Sequence, residues 1–176
     1  MNRRLKLLSV FFCILILTST VYGCKPKNNE PAANEPSSSG AEQSKEKKEI
    51  ASYSKYISVS GKKLASEKGK GEENTVDVGG KNVVIAMTYK ESLFGFDADV
   101  VYTISDGISV SDIIFNFDKA TADEISQKMT SAFGEPSKVT QESESTNYEE
   151  QWESSGFRFS LLDNKTTVSL TITKGE

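Results

Sequence analysis

Apolar and polar residues alternate with period two over most of the C-terminal half, and one stripe of helical period interrupts them. Val83, Ile85, Met87 and Tyr89 share one face of a strand predicted over 82–90. Val100, Tyr102 and Ile104 share a face of a second strand, and Asp106-Gly107 is a hairpin signal after it. A third strand over 108–117 changes phase, with Ile108 and Val110 first, then Ile113, Phe115 and Phe117. Such a change predicts a bulge near Asp112, or a strand end buried on both faces. Tyr148, Glu150 and Trp152 begin a further strand, which Ser154-Ser155-Gly156 turns. Phe157, Phe159 and Leu161 follow, Asp163-Asn164-Lys165 turns again, and Val168, Leu170 and Ile172 close the chain with Thr and Ser opposite. The pattern predicts an antiparallel meander with one solvated face.

The helical stripe is Ile125, Met129, Ala132 and Phe133, within a helix predicted over 122–133. Thr121 can cap it and Glu124 can complete a capping box, while Gly134 and Pro136 stop it. Residues 51–69 fit two patterns. Tyr53, Tyr56, Ile57, Ser60 and Leu64 suit a helix, whereas Tyr56-Ile57-Ser58-Val59-Ser60 suits a strand. Ser60 can also cap a short helix ending at Gly69, with Leu64 then matching Ile125 and Gly69 matching Gly134. The predicted fold class is α+β, an antiparallel β-meander sheet packed against one or two helices. It carries a weak internal repeat of a helix followed by about three strands.

The chain has 176 residues, and its first 23 read differently from the rest. Arg3, Arg4 and Lys6 precede an apolar run from Leu7 to Leu17, and Thr18, Ser19 and Thr20 follow. This is the layout of a secretory signal over 1–23, and its apolar run is about half the roughly 20 residues a membrane-spanning helix needs. The signal ends Val21-Tyr22-Gly23-Cys24, which resembles the lipobox of bacterial lipoproteins. Gly23 and Cys24 match that pattern, Val21 stands for its usual Leu, and Tyr22 departs from its small residue. The resemblance implies a diacylglycerol on the Cys24 thiol, and two acyl chains suffice for stable anchoring to a membrane. Cys24 would then be the one thiol of the mature chain and no disulfide would form, because Cys13 leaves with the signal.

Residues 24–49 are expected to form the lipidated Cys and a disordered tether. Pro26, Pro31 and Pro36 lie there, with no aromatic, Leu, Ile or Val, so little apolar surface can be buried. As a coil, 25 residues span about 28 Å. Its five Lys and five Glu cancel. Of the 21 Lys and Arg, three belong to the signal and five to the tether, leaving 13 on residues 50–176 against 20 Asp and Glu. The single globular domain predicted there carries a net charge of −7. Such a domain is repelled by an anionic bilayer, so attachment should depend on the lipid.

No His is present, which excludes Ser-His and Cys-His catalytic pairs and imidazole metal sites. Asp97-x-Asp99 lacks the further ligands of a Ca²⁺ loop, and Glu149, Glu150 and Glu153 around Trp152 read as a solvated face. Gly69-x-Gly71 and Gly79-Gly80 lack a phosphate loop's spacing and read as flexible connection. Neither a catalytic residue, a metal site nor a cofactor is expected, and the acidic charge gives no reason for a nucleic-acid partner. Leu93, Phe94 and Phe96 are apolar where a turn should be polar, so they are candidate partner-binding residues.

Met129-Thr130-Ser131-Ala132-Phe133-Gly134-Glu135-Pro136 ends its helix as the modules of two exported bacterial families do. In this the chain resembles the BamE/SmpA lipoproteins and the beta-lactamase-inhibitor-protein fold, a resemblance that implies interaction rather than catalysis. The expected function is therefore a membrane-anchored, extracytoplasmic, non-enzymatic module that binds a protein or other envelope component. The alternative is a small-ligand or substrate-binding lipoprotein, for which about 127 residues hardly provide two lobes and a cleft.

Overall fold

The computed structural model describes residues 39–141 and 147–176, with the side chains of the first helix described from Lys45 onward. The signal over 1–23, Cys24 and most of the expected tether lie outside the described residues. The elements run α1 (Ser39–Ser54), α2 (Gly61–Lys68), β1 (Glu72–Val78), β2 (Lys81–Leu93), β3 (Phe96–Ser105) and β4 (Ser109–Phe117). They continue through α3 (Ala122–Phe133), β5 (Lys138–Gln141), β6 (Tyr148–Ser154), β7 (Phe157–Asp163) and β8 (Val168–Lys174).

Eight strands form one antiparallel sheet in the order β1-β2-β3-β4-β8-β7-β6-β5. Two four-stranded meanders therefore meet where their last strands, β4 and β8, pair. α3 carries the chain from β4 at the centre to β5 at the far edge. The α+β expectation holds at that level, with one eight-stranded sheet in place of a helix-plus-three-strands unit.

Alternation decides which face is buried. Val100, Tyr102 and Ile104 of β3, Ile113 and Phe115 of β4, Leu170 and Ile172 of β8, and Phe159 and Leu161 of β7 all lie in the core. The described helices pack on this face. Tyr53 of α1 meets the Phe115 ring edge-on at 4.8 Å, and Phe133 of α3 stacks on Phe159 at 4.7 Å. α2 begins at Gly61, where a Cβ would lie 2.9 Å from Ile104 Cδ1, so a larger residue would have to displace that methyl.

Both capping sites predicted for the helices are occupied. Thr121 Oγ1 accepts from Glu124 N at 3.3 Å and Glu124 Oε2 accepts from Thr121 N at 2.9 Å, a complete capping box. Ser60 Oγ accepts from Lys63 N at 3.3 Å. Gly69 and Gly134 end α2 and α3, each with φ at 85°.

Several expectations are corrected. The tether does not run to residue 49, because 39–49 belong to α1, with Glu46 and Ile50 in the protein interior. The ambiguous stretch resolves as the end of α1, a turn, and α2, with Ser60 making a bridge to Ser109. Between Gly71 and Gly79, expected as connection, lies β1, and every one of its residues is exposed. Gly79-Gly80 turns β1 into β2. The phase change in β4 is a bulge. Thr103 pairs Asp112 while Ile104 pairs Val110, which leaves Ser111 as the extra residue. Ile108 falls in the turn before β4 and is 67% exposed.

Candidate functional site

Leu93 is fully buried and is withdrawn as a partner-binding candidate. Phe94 and Phe96 are half-buried and pack against the core. The reason is the turn. Leu93 pairs Phe96, so Phe94-Gly95 is a two-residue hairpin loop with φ of 58° and 86°, the left-handed conformation that matches strand twist. Glu49 of α1 fastens it, its Oε1 accepting from Phe94 N at 2.7 Å. A turn so tied to a helix is part of the scaffold.

The carboxylates do not converge either. Glu150 points into the core face and accepts from Tyr148 Oη at 2.5 Å, whereas Glu149 and Glu153 lie on the opposite face of β6. Burial and the Glu150 charge push the Tyr148 phenol up to about 12. Asp99 pairs with Lys90 at 2.5 Å on the open face. Among the described residues no group of three or more acidic or thiol ligands could hold a metal ion.

The face opposite the helices is the broadest surface the sheet offers. Register sets its rows. Thr88, Val101, Ile114, Thr171, Ser160 and Gln151 lie side by side across β2, β3, β4, β8, β7 and β6. Flanking them are Asp99, Asn116, Ser169 and Leu162 on one side, and Thr103, Asp112, Thr173 and Arg158 on the other. Short hydroxyl side chains flank Val101 and Ile114 in these rows, and the charged residues Asp99, Asp112 and Arg158 lie in the two flanking rows. Most of these residues are half-exposed. Eight strands about 4.8 Å apart, each rising about 24 Å, give a face of about 800 Å², the share of one partner in an ordinary protein interface.

A second cluster lies on the core face at the end of α2. Lys68 Nζ bonds Glu91 Oε2 at 2.7 Å, with both side chains less than one-fifth exposed. Four of the chain's six tyrosines surround that ammonium. The ring centroids of Tyr56, Tyr53, Tyr102 and Tyr89 lie 4.9, 5.2, 5.2 and 5.9 Å from Nζ. Three of the four hydroxyls are committed. Tyr53 donates to Ser92 O at 2.7 Å, Tyr89 to Gly69 O at 3.1 Å, and Tyr102 to Glu91 Oε1 at 3.2 Å. Tyr102 meets Tyr56 and Tyr89 edge-on. Burial first, then the Glu91 charge, pushes the Tyr53, Tyr89 and Tyr102 phenols above their ordinary range, so all three stay neutral.

Composition gives no hint of this cluster, because its residues come from α1, α2, β2, β3 and the turn after α1. One signal was present. The alternation of Met87 and Tyr89 continues to Glu91, which places a carboxylate on the core side. Val83 and Ile85 do not share that face as expected: a bulge at Ile85 shifts the phase, Ile85 is 39% exposed and Val84 packs on the core instead.

No protein-family model and no curated protein matches the sequence. Among solved structures, a DUF4309 family protein (YjgB) from Bacillus subtilis is similar at 9% identity and a TM-score of 0.43. The match covers 65% of this chain and 78% of that one. Among the described residues no helix is long and apolar enough to cross a membrane.

Proposed function

We propose that this chain is a non-enzymatic extracytoplasmic lipoprotein, held to the membrane through a lipid on Cys24, whose helix-free sheet face binds a protein of the cell envelope. The observation that carries the reading is that face. The described helices pack on the other side of the sheet, and the rows through Val101, Ile114, Thr171 and Ser160 are half-exposed, mostly uncharged and about the size of one interface. Their short side chains lose little rotamer freedom on contact. The basic start, apolar run and Gly23-Cys24 support the anchor.

We also read the sheet as two joined copies of one unit, a capped helix followed by four strands. Ser60 and Thr121 cap the helices, and Leu64 and Ile125 stand four residues later, both fully buried. Gly69 and Gly134 end them at the same φ, and the last strand of each copy meets the other. Each copy leaves one sheet face uncovered, so their joining doubles the area available to a partner.

The test is chemical cross-linking in cells making the full chain. Wild type and Glu67→Arg, altered on the outer side of α2, should yield the same adduct, and Thr171→Arg should lose it while remaining folded. Equal adducts from all three variants would refute the assignment of the face. In parallel, Cys24→Ala should leave the membrane fraction, and its retention there would refute the anchor.

A further inference from the structure

We propose that the four tyrosines around Lys68 form a cation site for a small solute carrying a trimethylammonium group, and that Lys68 is its built-in plug. This goes beyond the sheet-face reading and uses the opposite side of the sheet.

A lysine ammonium is a compact, strongly hydrated group with three N–H donors. Here its hydrogen bond goes to Glu91 Oε2, and the rest of its surroundings are the rings of Tyr53, Tyr56, Tyr89 and Tyr102. Aromatic faces on several sides with a single carboxylate suit a cation that has no N–H to satisfy. A quaternary ammonium is such a cation, weakly hydrated and attracted to ring faces. Glu91 supplies the balancing charge, and Tyr102 orients it through the 3.2 Å bond to Oε1.

The cage is preformed. The hydroxyls of Tyr53, Tyr89 and Tyr102 are held by the backbone carbonyls of Ser92 and Gly69 and by Glu91, not by Lys68, and Tyr56 packs edge-on against Tyr102. Removing the ammonium would therefore leave the rings in place. Lys68 is free to leave, because it is the last residue of an eight-residue helix and Gly69, at φ 85°, follows it. Its side chain is 15% exposed, so the site has an opening toward solvent. Lys55 Nζ also lies 4.8 Å from the Tyr56 ring centroid, and Lys55 is exposed. The recess commits the site to a free solute, because a headgroup held in a bilayer would have to pass the end of α2 to reach the rings.

The test uses tetramethylammonium as probe and the ring-proton shifts of the tyrosines as readout, in the full chain. Wild type should show saturable shifts at Tyr56 and Tyr89, and Lys68→Ala should bind about tenfold more tightly because the plug no longer competes. Lys68→Met, which keeps the apolar stem, serves as the second variant if Lys68→Ala folds poorly, and the same tightening is expected. Glu91→Gln should weaken binding about tenfold. Neopentanol, the neutral isostere, should give no saturable shift. Phosphatidylcholine vesicles should not reproduce the shifts. The proposal is overturned if wild type shows no saturable shift, if neither Lys68 variant tightens binding, if neopentanol binds equally, or if only vesicles produce the effect.

Discussion

Lys128 Nζ lies 3.0 Å from Glu46 Oε1, joining α3 to α1 across 82 positions of sequence. Glu46 is 5% exposed and Lys128 36% exposed, so the pair sits at the rim of the helix–helix contact. Burial alone would raise the Glu46 carboxyl. The Lys128 hydrogen bond and charge, with a backbone hydrogen bond and Lys45, hold it below the usual carboxylate range. A carboxyl lowered in the folded state stabilises the fold above its unfolded value, and that contribution disappears as pH falls through the folded value. Wild type should therefore lose stability on acidification below about pH 4.5, and Glu46→Gln should lose less over the same range. Lys128→Met should cost about 1–2 kcal/mol at pH 7 in denaturant unfolding, because it leaves a shielded carboxylate without its cation.

Leu93→Ala should cost about 3 kcal/mol, the size expected for a fully buried leucine. Phe94→Ser with Phe96→Ser should cost less than Leu93→Ala, since both rings are half-buried and the turn is also held by Glu49. Thermal unfolding of the three proteins orders them. A double variant as stable as wild type would place both rings outside the core.

Ser155→Asn should stabilise the protein by about 0.5 kcal/mol. Ser155 is exposed at φ 55° in the two-residue turn that joins β6 to β7, with Gly156 at 78°. Asn adopts that left-handed conformation more readily, and Asn-Gly is the favoured pair for such a turn. A fall in melting temperature would show that the turn is held by something other than its backbone preference.

Thr121→Ala and Ser60→Ala should each cost about 1 kcal/mol, the usual effect of removing an N-cap oxygen. Thr121→Ala should cost more, because its hydroxyl both accepts from Glu124 N and donates to Glu124 Oε2 at 2.9 Å, whereas Ser60 Oγ makes the single bond to Lys63 N. A Ser60→Ala variant less stable than Thr121→Ala in thermal unfolding would refute this ranking.

What the sequence reveals and hides follows from burial. α3 is legible because its cap, its apolar stripe and its Gly stop agree, and β3, β4, β7 and β8 are legible because one face of each is buried and the other is not. β1 is hidden because Glu72–Val78 is an edge strand with every residue exposed, so no alternation can appear. The first part of α1 is hidden because Lys45, Lys47 and Lys48 face solvent, and Glu46, its buried member before Glu49, is charged. The partner candidates at 93–96 misled for a related reason. A phenylalanine in a tight turn looks exposed in sequence, yet here the hairpin bends it back onto the core. The tyrosine cage required the topology, since α2 and β3 meet only when the sheet is folded.

Photo-cross-linking reads directly whether the sheet face opposite the described helices is the working surface. A photoreactive residue placed at Ser160, in the central row of that face, should give a discrete adduct with an envelope protein in cells making the full chain. The same residue at Glu67 of α2 should give none. An adduct at Glu67 with none at Ser160 would contradict the account.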